Sequence, residues 1–110
     1  MNPSQYMQKH KKALSALPWS CQNLILNCAR IVNGQNIDGI DQHVNRMSYR
    51  ASDDIYNALH RRFQQVSAAD ITRICHFRES VYAFLNKGER QSWTALDNVL
   101  TAMLKAVNRS

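Results

Sequence analysis

Residues 20–34 read SCQNLILNCARIVNG, and this stretch decides the fold class because its pattern is that of an amphipathic helix. Ser20 is suited to cap the start of the helix, and Asn33-Gly34 is suited to end it, since glycine adopts the left-handed conformation at little cost. The apolar residues fall on one helical face, at the spacing expected for a side that packs on a core: Cys21, Leu24, Ile25, Cys28, Ile31 and Val32.

Helix signals continue on both sides of this stretch. Before it, Pro3 or Ser4 opens a helix that ends at Pro18, because proline disfavours a helical residue before it. After it, a short helix is predicted over residues 40–47, ending near Ser48. The pattern of the first third of the chain is therefore helical throughout, with turns between the helices.

Further helix starts follow from residue 52 onwards. Residues 52–54, Ser-Asp-Asp, combine a capping serine with two carboxylates at the positive end of the helix dipole. Ser67 with Asp70 three residues later resembles a capping box. The two apolar faces that follow predict a bend at residues 75–78, Cys-His-Phe-Arg, rather than one straight helix.

Asn86-Lys87-Gly88 closes that element, and a last helix with one apolar face runs from Trp93 to Val107. The sequence has no alternating strand pattern, internal repeat or low-complexity segment. We therefore predict an all-α fold of five or six short helices in a small bundle, with residues 1–110 as a single domain.

Composition and charge restrict the function classes. The chain has 14 Lys and Arg against 8 Asp and Glu, for a net charge of +6. Such an excess indicates a polyanionic partner, of which nucleic acid is the commonest. The alternative is an ordinary solvated basic surface.

The termini and the cysteines indicate a cytoplasmic protein. No apolar run approaches the roughly 18 residues of a membrane span, and the N-terminus MNPSQYMQKHKK has no apolar stretch behind its charges. We therefore expect a cytoplasmic location and no membrane contact. The three cysteines are an odd number, and a reducing compartment would keep them as thiols.

Metal binding and catalysis receive little support from the sequence. No CxxC or HxxxH pair is present to hold zinc, so Cys21 and Cys28 are interpreted as buried thiols. Cys75 and His76 are adjacent, and adjacent residues on a helix point about 100° apart. We predict no enzyme activity, no metal and no cofactor.

DNA contact is the better supported interpretation. Cations and imidazoles lie along two consecutive predicted helices and their ends, and could neutralise phosphates: Arg61, Arg62, Arg73, His76, Arg78, Lys87 and Arg90. The alternative is that they form the solvent faces of amphipathic helices. The spacing does not match a helix-turn-helix, because no glycine marks a turn between Val66 and Ile74.

Three segments resemble the FlhD family, the small subunit of the flagellar master activator. The run ALHRRFQQVSAADITRICHFR at residues 58–78 is similar to the family segment that ends in CHFR. RMSYRASDDI at residues 46–55 and LILNCARIVNGQ at residues 24–35 resemble family segments in the same order. The chain departs from the family at Glu79, where an FD pair often follows CHFR, and in its N-terminal helix.

The resemblance implies a transcriptional activator subunit, of the kind that controls the transfer of a conjugative element. In such pairs an FlhD-like chain assembles with an FlhC-like chain that carries a Cys-ligated zinc, and the complex activates promoters with RNA polymerase. The resemblance also implies an intertwined homodimer, with Cys75 as an interface thiol near its symmetry mate and Phe77 packed beside it.

The apolar stripe independently suggests a homodimer. Leu24, Ile25, Cys28 and Ile31 provide more apolar surface than one short helix needs in a small monomer, and a two-fold dimer would bury it on both subunits. Two other function classes stay open. One is an adaptor or inhibitor from a mobile element or phage that binds a host protein through a helical face. The other is an independent nucleoid-type DNA binder.

Overall fold

The structure, a computed structural model, describes residues 1–35, 38–86 and 92–109. These residues form helices and no strand, which confirms the predicted all-α class. The six helices are α1 (Pro3–Lys9), α2 (Lys11–Leu14), α3 (Trp19–Val32), α4 (Ile40–Phe63), α5 (Ala68–Leu85) and α6 (Trp93–Asn108). Within the described ranges, no helix is both long and apolar enough to cross a membrane.

The N-terminal segment forms two short helices rather than one. α1 begins at Pro3 as predicted, and Asn2 caps it by accepting a hydrogen bond from the Gln5 N–H at 2.9 Å. The helix is interrupted at His10, whose backbone leaves the helical region, and α2 ends before Pro18. The interruption lies next to Tyr6, which is buried and holds α1 against the rest of the molecule.

α3 begins two residues earlier than the capping rule predicted. Pro18 occupies the N-cap position, and its carbonyl accepts from the Cys21 N–H at 3.0 Å. Ser20 is not the cap, because its hydroxyl donates to the Asp54 carboxylate of α4 at 2.6 Å. The predicted end is confirmed, since the helix stops at Val32 and Gly34 has a φ of +80°.

α4 is one continuous helix, so the predicted stop near Ser48 and restart at residues 52–54 are wrong. Both serines are buried inside the helix. The Ser48 hydroxyl donates to the Asn45 carbonyl at 2.6 Å, and the Ser52 hydroxyl donates to the Ser48 carbonyl at 2.8 Å. A serine that bonds back to its own preceding turn does not end a helix, because its hydroxyl no longer competes for the backbone N–H groups.

α5 is also continuous, and the predicted bend at residues 75–78 is wrong. The capping box at its start is confirmed, because Ser67 and Asp70 each accept from the other's backbone N–H. One face of the helix is buried, made of Ile74, Phe77, Val81 and Phe84. The other apolar residues that suggested a bend, Ile71, Cys75 and Tyr82, lie at the surface instead.

The apolar stripe of α3 lies in the core of the single chain. Leu24, Ile25, Cys28 and Ile31 are buried, and α1, α4 and α6 pack around their helix. Phe77 of α5 is buried in the same core. A second copy is therefore not needed to remove this stripe from water, and none of the five side chains faces a surface on which a copy could dock. Dimerisation itself stays a prediction.

Candidate nucleic-acid interface

The cations predicted to contact DNA lie on separate surfaces. Arg61 and Arg62 are exposed in the last turn of α4. Arg73 and His76 lie on the flank of α5 that faces α6, whereas Arg78 lies on the flank that faces α4. The last two predicted residues, Lys87 and Arg90, fall outside the described residues. The predicted set is therefore not one continuous surface.

Arg73 and His76 contribute to a basic groove between α5 and α6. The groove has a volume of about 210 Å³ and is lined by Arg73, His76, Asn98, Thr101, Ala102 and Lys105. No carboxylate occurs among the described residues that line it. Two or three cationic groups beside amide and hydroxyl side chains are the usual partners of a phosphate. We call this surface the basic groove.

Lys105 was missed by the sequence reasoning, which treated α6 only as an apolar helix. Asn98, Thr101 and Lys105 recur at spacings of three and four residues, on the side of α6 away from the buried Val99 and Met103. That polar stripe was a signal in the sequence. The sequence did not show that this stripe of α6 lies beside Arg73 and His76 of α5, because that contact depends on how the two helices pack.

Arg73 is held at the basic groove by a buried carboxylate. Its guanidinium donates to Asp70 at 2.6 Å, and the Asp70 side chain is fully buried. Asp70 also accepts from the Ser67 N–H at 2.9 Å and from Arg109 at 3.0 and 3.1 Å. The Ser67 N–H, and then the two guanidinium groups, hold the pKa of Asp70 well below its usual range against the effect of burial.

Arg109 joins the end of α6 to the end of α4. Its guanidinium carbon lies 3.6 Å from the centre of the Phe63 ring, and it donates to the Gln65 carbonyl at 3.0 Å. Arg62 also lies over Phe63, at 4.9 Å. Arg109 therefore supports the fold beside the basic groove, and its guanidinium is committed to Asp70, Gln65 and Phe63.

Arg78 takes part in a second, separate groove. Its guanidinium carbon lies 4.0 Å from the centre of the Tyr49 ring, which is a cation–π contact between α5 and α4. Arg78 does not share the Asp70 carboxylate, which is bound to Arg73 and Arg109.

A third groove lies at the start of α3. It has a volume of about 380 Å³ and is lined by Trp19, Ser20, Asn23, Met47, Arg50 and Asp54. The Arg50 Nε lies 3.9 Å from the Asp54 carboxylate, so this groove carries one positive and one negative side chain. It does not share the cationic character of the basic groove.

The three cysteines differ in environment. Cys21 and Cys28 are buried, and burial raises the pKa of Cys21 to about 12 and the pKa of Cys28 well above its usual range. Cys75 is exposed on α5. Within the described ranges, no group of three His, Cys, Asp or Glu side chains could hold a metal ion.

This difference predicts selective thiol chemistry. With the folded protein, a thiol reagent such as dithionitrobenzoate should modify one cysteine rapidly, since buried protonated thiols react slowly. After denaturation it should modify all three. The Cys75→Ser variant should show no rapid reaction. Rapid modification of two or more thiols in the folded protein would contradict the burial of Cys21 and Cys28.

Comparison with protein-family models, with curated proteins and with solved structures gives no match for this chain. The resemblance to the FlhD family therefore rests on the segments quoted above, and the functional argument depends on the geometry of the chain itself.

Proposed function

We propose that this chain is a DNA-binding subunit of a transcriptional activator. The observation that carries the proposal is the basic groove, in which Arg73, His76 and Lys105 come together, while the Asp70 carboxylate that binds Arg73 is buried and does not line the groove. The net charge of +6 supports the same conclusion, because it favours a polyanionic partner. The resemblance of residues 58–78 to the FlhD family adds the transcriptional role.

The basic groove is suited to hold the DNA backbone rather than to read bases. Lys105 and His76 reach a phosphate from two helices, and Asn98 and Thr101 supply polar contacts beside them. Contacts of this kind give affinity and register but carry no sequence information. The chain alone should therefore bind duplex DNA weakly and with little discrimination between sequences.

Specificity in this proposal comes from assembly. Following the resemblance, the chain forms a homodimer in the cytoplasm and joins an FlhC-like, zinc-containing subunit on promoter DNA, where the complex acts with RNA polymerase. Cys75 is exposed, and so the predicted approach to its symmetry mate is sterically open. The partner subunit would fix the register of the complex on the duplex and bring it to particular promoters.

An adaptor or inhibitor that binds a host protein is the second candidate function. The observation that favours it is Trp19, whose side chain is 74% exposed beside the third groove. Exposed tryptophan next to a concave surface is typical of the residues that dominate protein–protein interfaces. This candidate takes the lead if neither the chain nor its complex with an FlhC-like subunit binds DNA.

The test compares two lysines on different surfaces. Binding to a labelled duplex of roughly 20 base pairs is measured by fluorescence anisotropy at several salt concentrations. Lys105→Gln should weaken binding to all sequences and reduce the slope of log K against log salt by about one unit. Lys12→Gln removes the same charge from α2, outside the basic groove, and should leave the slope unchanged.

Equal slopes for the wild-type chain and Lys105→Gln would contradict the assignment of the groove. Tight, sequence-specific binding by the isolated chain would contradict the division of labour between the chain and its partner.

A further inference from the structure

One side of the α4–α5 hairpin exposes an unusual amount of apolar surface. Four of the six large hydrophobic side chains that are exposed in the described residues lie there: Tyr49, Tyr56, Ile71 and Tyr82. Tyr82 is 69% exposed and Tyr49 is 49% exposed. We call these four residues, with Cys75, the tyrosine face. Large side chains that stay in water as a group usually mark a binding surface.

The tyrosine face is continuous across the two helices. On α4, Tyr49 and Tyr56 are seven residues apart, which is two helical turns on the same side. On α5, Cys75 and Tyr82 have the same spacing, and both are exposed. A groove of about 290 Å³ lies between the two rows, and its lining includes Tyr49, Cys75 and Tyr82. The two rows therefore form one surface.

The four large side chains supply much of the area that a dimer needs. An aromatic side chain has roughly 150–250 Å² of surface, so the exposed fractions of these four leave on the order of 400 Å² in water on each copy. Specific protein interfaces bury about 800 Å² on each partner. The polar side chains of α4 and α5 around the face would supply the remainder as a rim.

The charged groups on the tyrosine face are balanced. Arg46 and Asp53 are exposed on α4, one turn before and one turn after Tyr49. On α5, Arg78 and the exposed Glu79 line the groove. Among the described residues, no ion pair within the chain involves any of these four charged groups. The face thus carries two cations and two carboxylates that lack ion-pair partners, although the whole chain has a net charge of +6.

We propose that the tyrosine face is the surface on which two copies of this chain form a two-fold symmetric dimer. The proposal rests on the homodimer of the proposed function and assigns its interface. A two-fold interface places the same patch on both sides, so a patch of one charge would repel itself. The balanced charges of the tyrosine face allow the carboxylates of one copy to meet the arginines of the other, while the exposed rings pack together.

The same charges disfavour a polyanion as the occupant. Phosphates that approach Arg46 or Arg78 would also approach the carboxylates of Asp53 or Glu79, which repel them. The basic groove lies on the opposite flank of α5, and no carboxylate occurs among its described lining residues. A dimer that forms through the tyrosine face would therefore leave both basic grooves open to DNA.

The test is sedimentation equilibrium of the chain at roughly 1–100 µM, a range in which the wild-type chain should dimerise. Tyr82→Ala should weaken dimerisation by roughly tenfold or more, as is usual for truncating an aromatic residue inside an interface. Ile71→Gln, a second variant within the face, should also weaken it. Trp19→Ala is the matched control and should dimerise like the wild-type chain, because Trp19 is an exposed aromatic residue outside the face. Circular dichroism establishes that each variant is folded.

A wild-type chain that stays monomeric at about 100 µM would overturn the proposal, and so would equal dimerisation by Tyr82→Ala and Trp19→Ala. A monomeric wild-type chain whose duplex binding is weakened by Tyr82→Ala would assign the face to DNA instead. This proposal and DNA binding fail separately. Equal salt slopes for Lys105→Gln and the wild-type chain remove the basic groove and leave the dimer, whereas unchanged sedimentation of Tyr82→Ala removes the tyrosine face and leaves the basic groove.

Discussion

Replacing Asp70 by alanine is expected to lower the melting temperature by roughly 10 °C or more, because it removes a buried carboxylate that caps α5 and binds two partly exposed guanidinium groups. Asp70 is fully buried and accepts from Ser67, Arg73 and Arg109, so one carboxylate connects the start of α5 to the end of α6. The measurement is thermal unfolding followed by circular dichroism. Loss of this carboxylate should also release Arg73 from the basic groove and weaken duplex binding.

The control for this substitution is Asp53→Ala. Asp53 is an exposed carboxylate on α4, so its removal makes the same change in net charge without breaking a buried network. Its melting temperature should stay within about 2 °C of the wild-type value, as is usual for surface substitutions. Equal melting temperatures for the two variants would mean that the Asp70 network does not support the fold.

The same carboxylate sets the acid sensitivity of the protein. The pKa of Asp70 is lowered in the folded state, so its contribution to stability is present above the unfolded-state pKa of about 4 and is lost as the pH falls below that value. The difference in melting temperature between the wild-type chain and Asp70→Asn should therefore be largest near neutral pH and shrink below about pH 4. A difference that grows on acidification would contradict this assignment.

Tyr6→Ala should destabilise the protein by about 3 kcal/mol or more, as expected for truncating a fully buried aromatic side chain. Tyr6 is 1% exposed, and its ring stacks on Trp93 of α6 with the ring centres 5.1 Å apart. Its hydroxyl donates to Asp97 at 2.7 Å. Burial, with the neighbouring carboxylate, raises the pKa of Tyr6 well above its usual range, so the phenol remains a hydrogen-bond donor.

Tyr6→Phe separates the ring from the hydroxyl. This variant keeps the stacking on Trp93 and loses one hydrogen bond, so its free energy of unfolding should be lower by about 1 kcal/mol. Both values are measured by urea denaturation. If Tyr6→Ala costs no more than Tyr6→Phe, α1 detaches locally and does not contribute to the stability of the core.

Local signals in the sequence predicted much of the helical structure. The capping box of Ser67 and Asp70, the stop at Asn33-Gly34 and the start at Pro3 are all confirmed, since each depends on residues within one turn of each other. The errors at Ser48 and at residues 52–54 came from serines. A serine can cap a helix or bond back to the preceding turn, and only its burial in α4 determined which occurred.

The candidate site was predicted only in part, for a related reason. Arg73 and His76 were identified from their type and spacing, but Lys105 was missed, and Arg78 lies on a different surface. Each of these placements depends on which flank of α5 meets α6 and which meets α4. That choice is made by the buried side chains of the whole bundle, and no local pattern contains it.

The sequence by itself determined the helical class, the basic charge and several helix ends, because periodicity and capping act over a few residues. The tertiary structure alone decided that the α3 stripe is core, that Asp70 holds Arg73 and Arg109, and that the tyrosines of α4 and α5 share one exposed face. The physical reason is that burial and charge pairing depend on residues that are distant in the chain and become neighbours only when the helices pack.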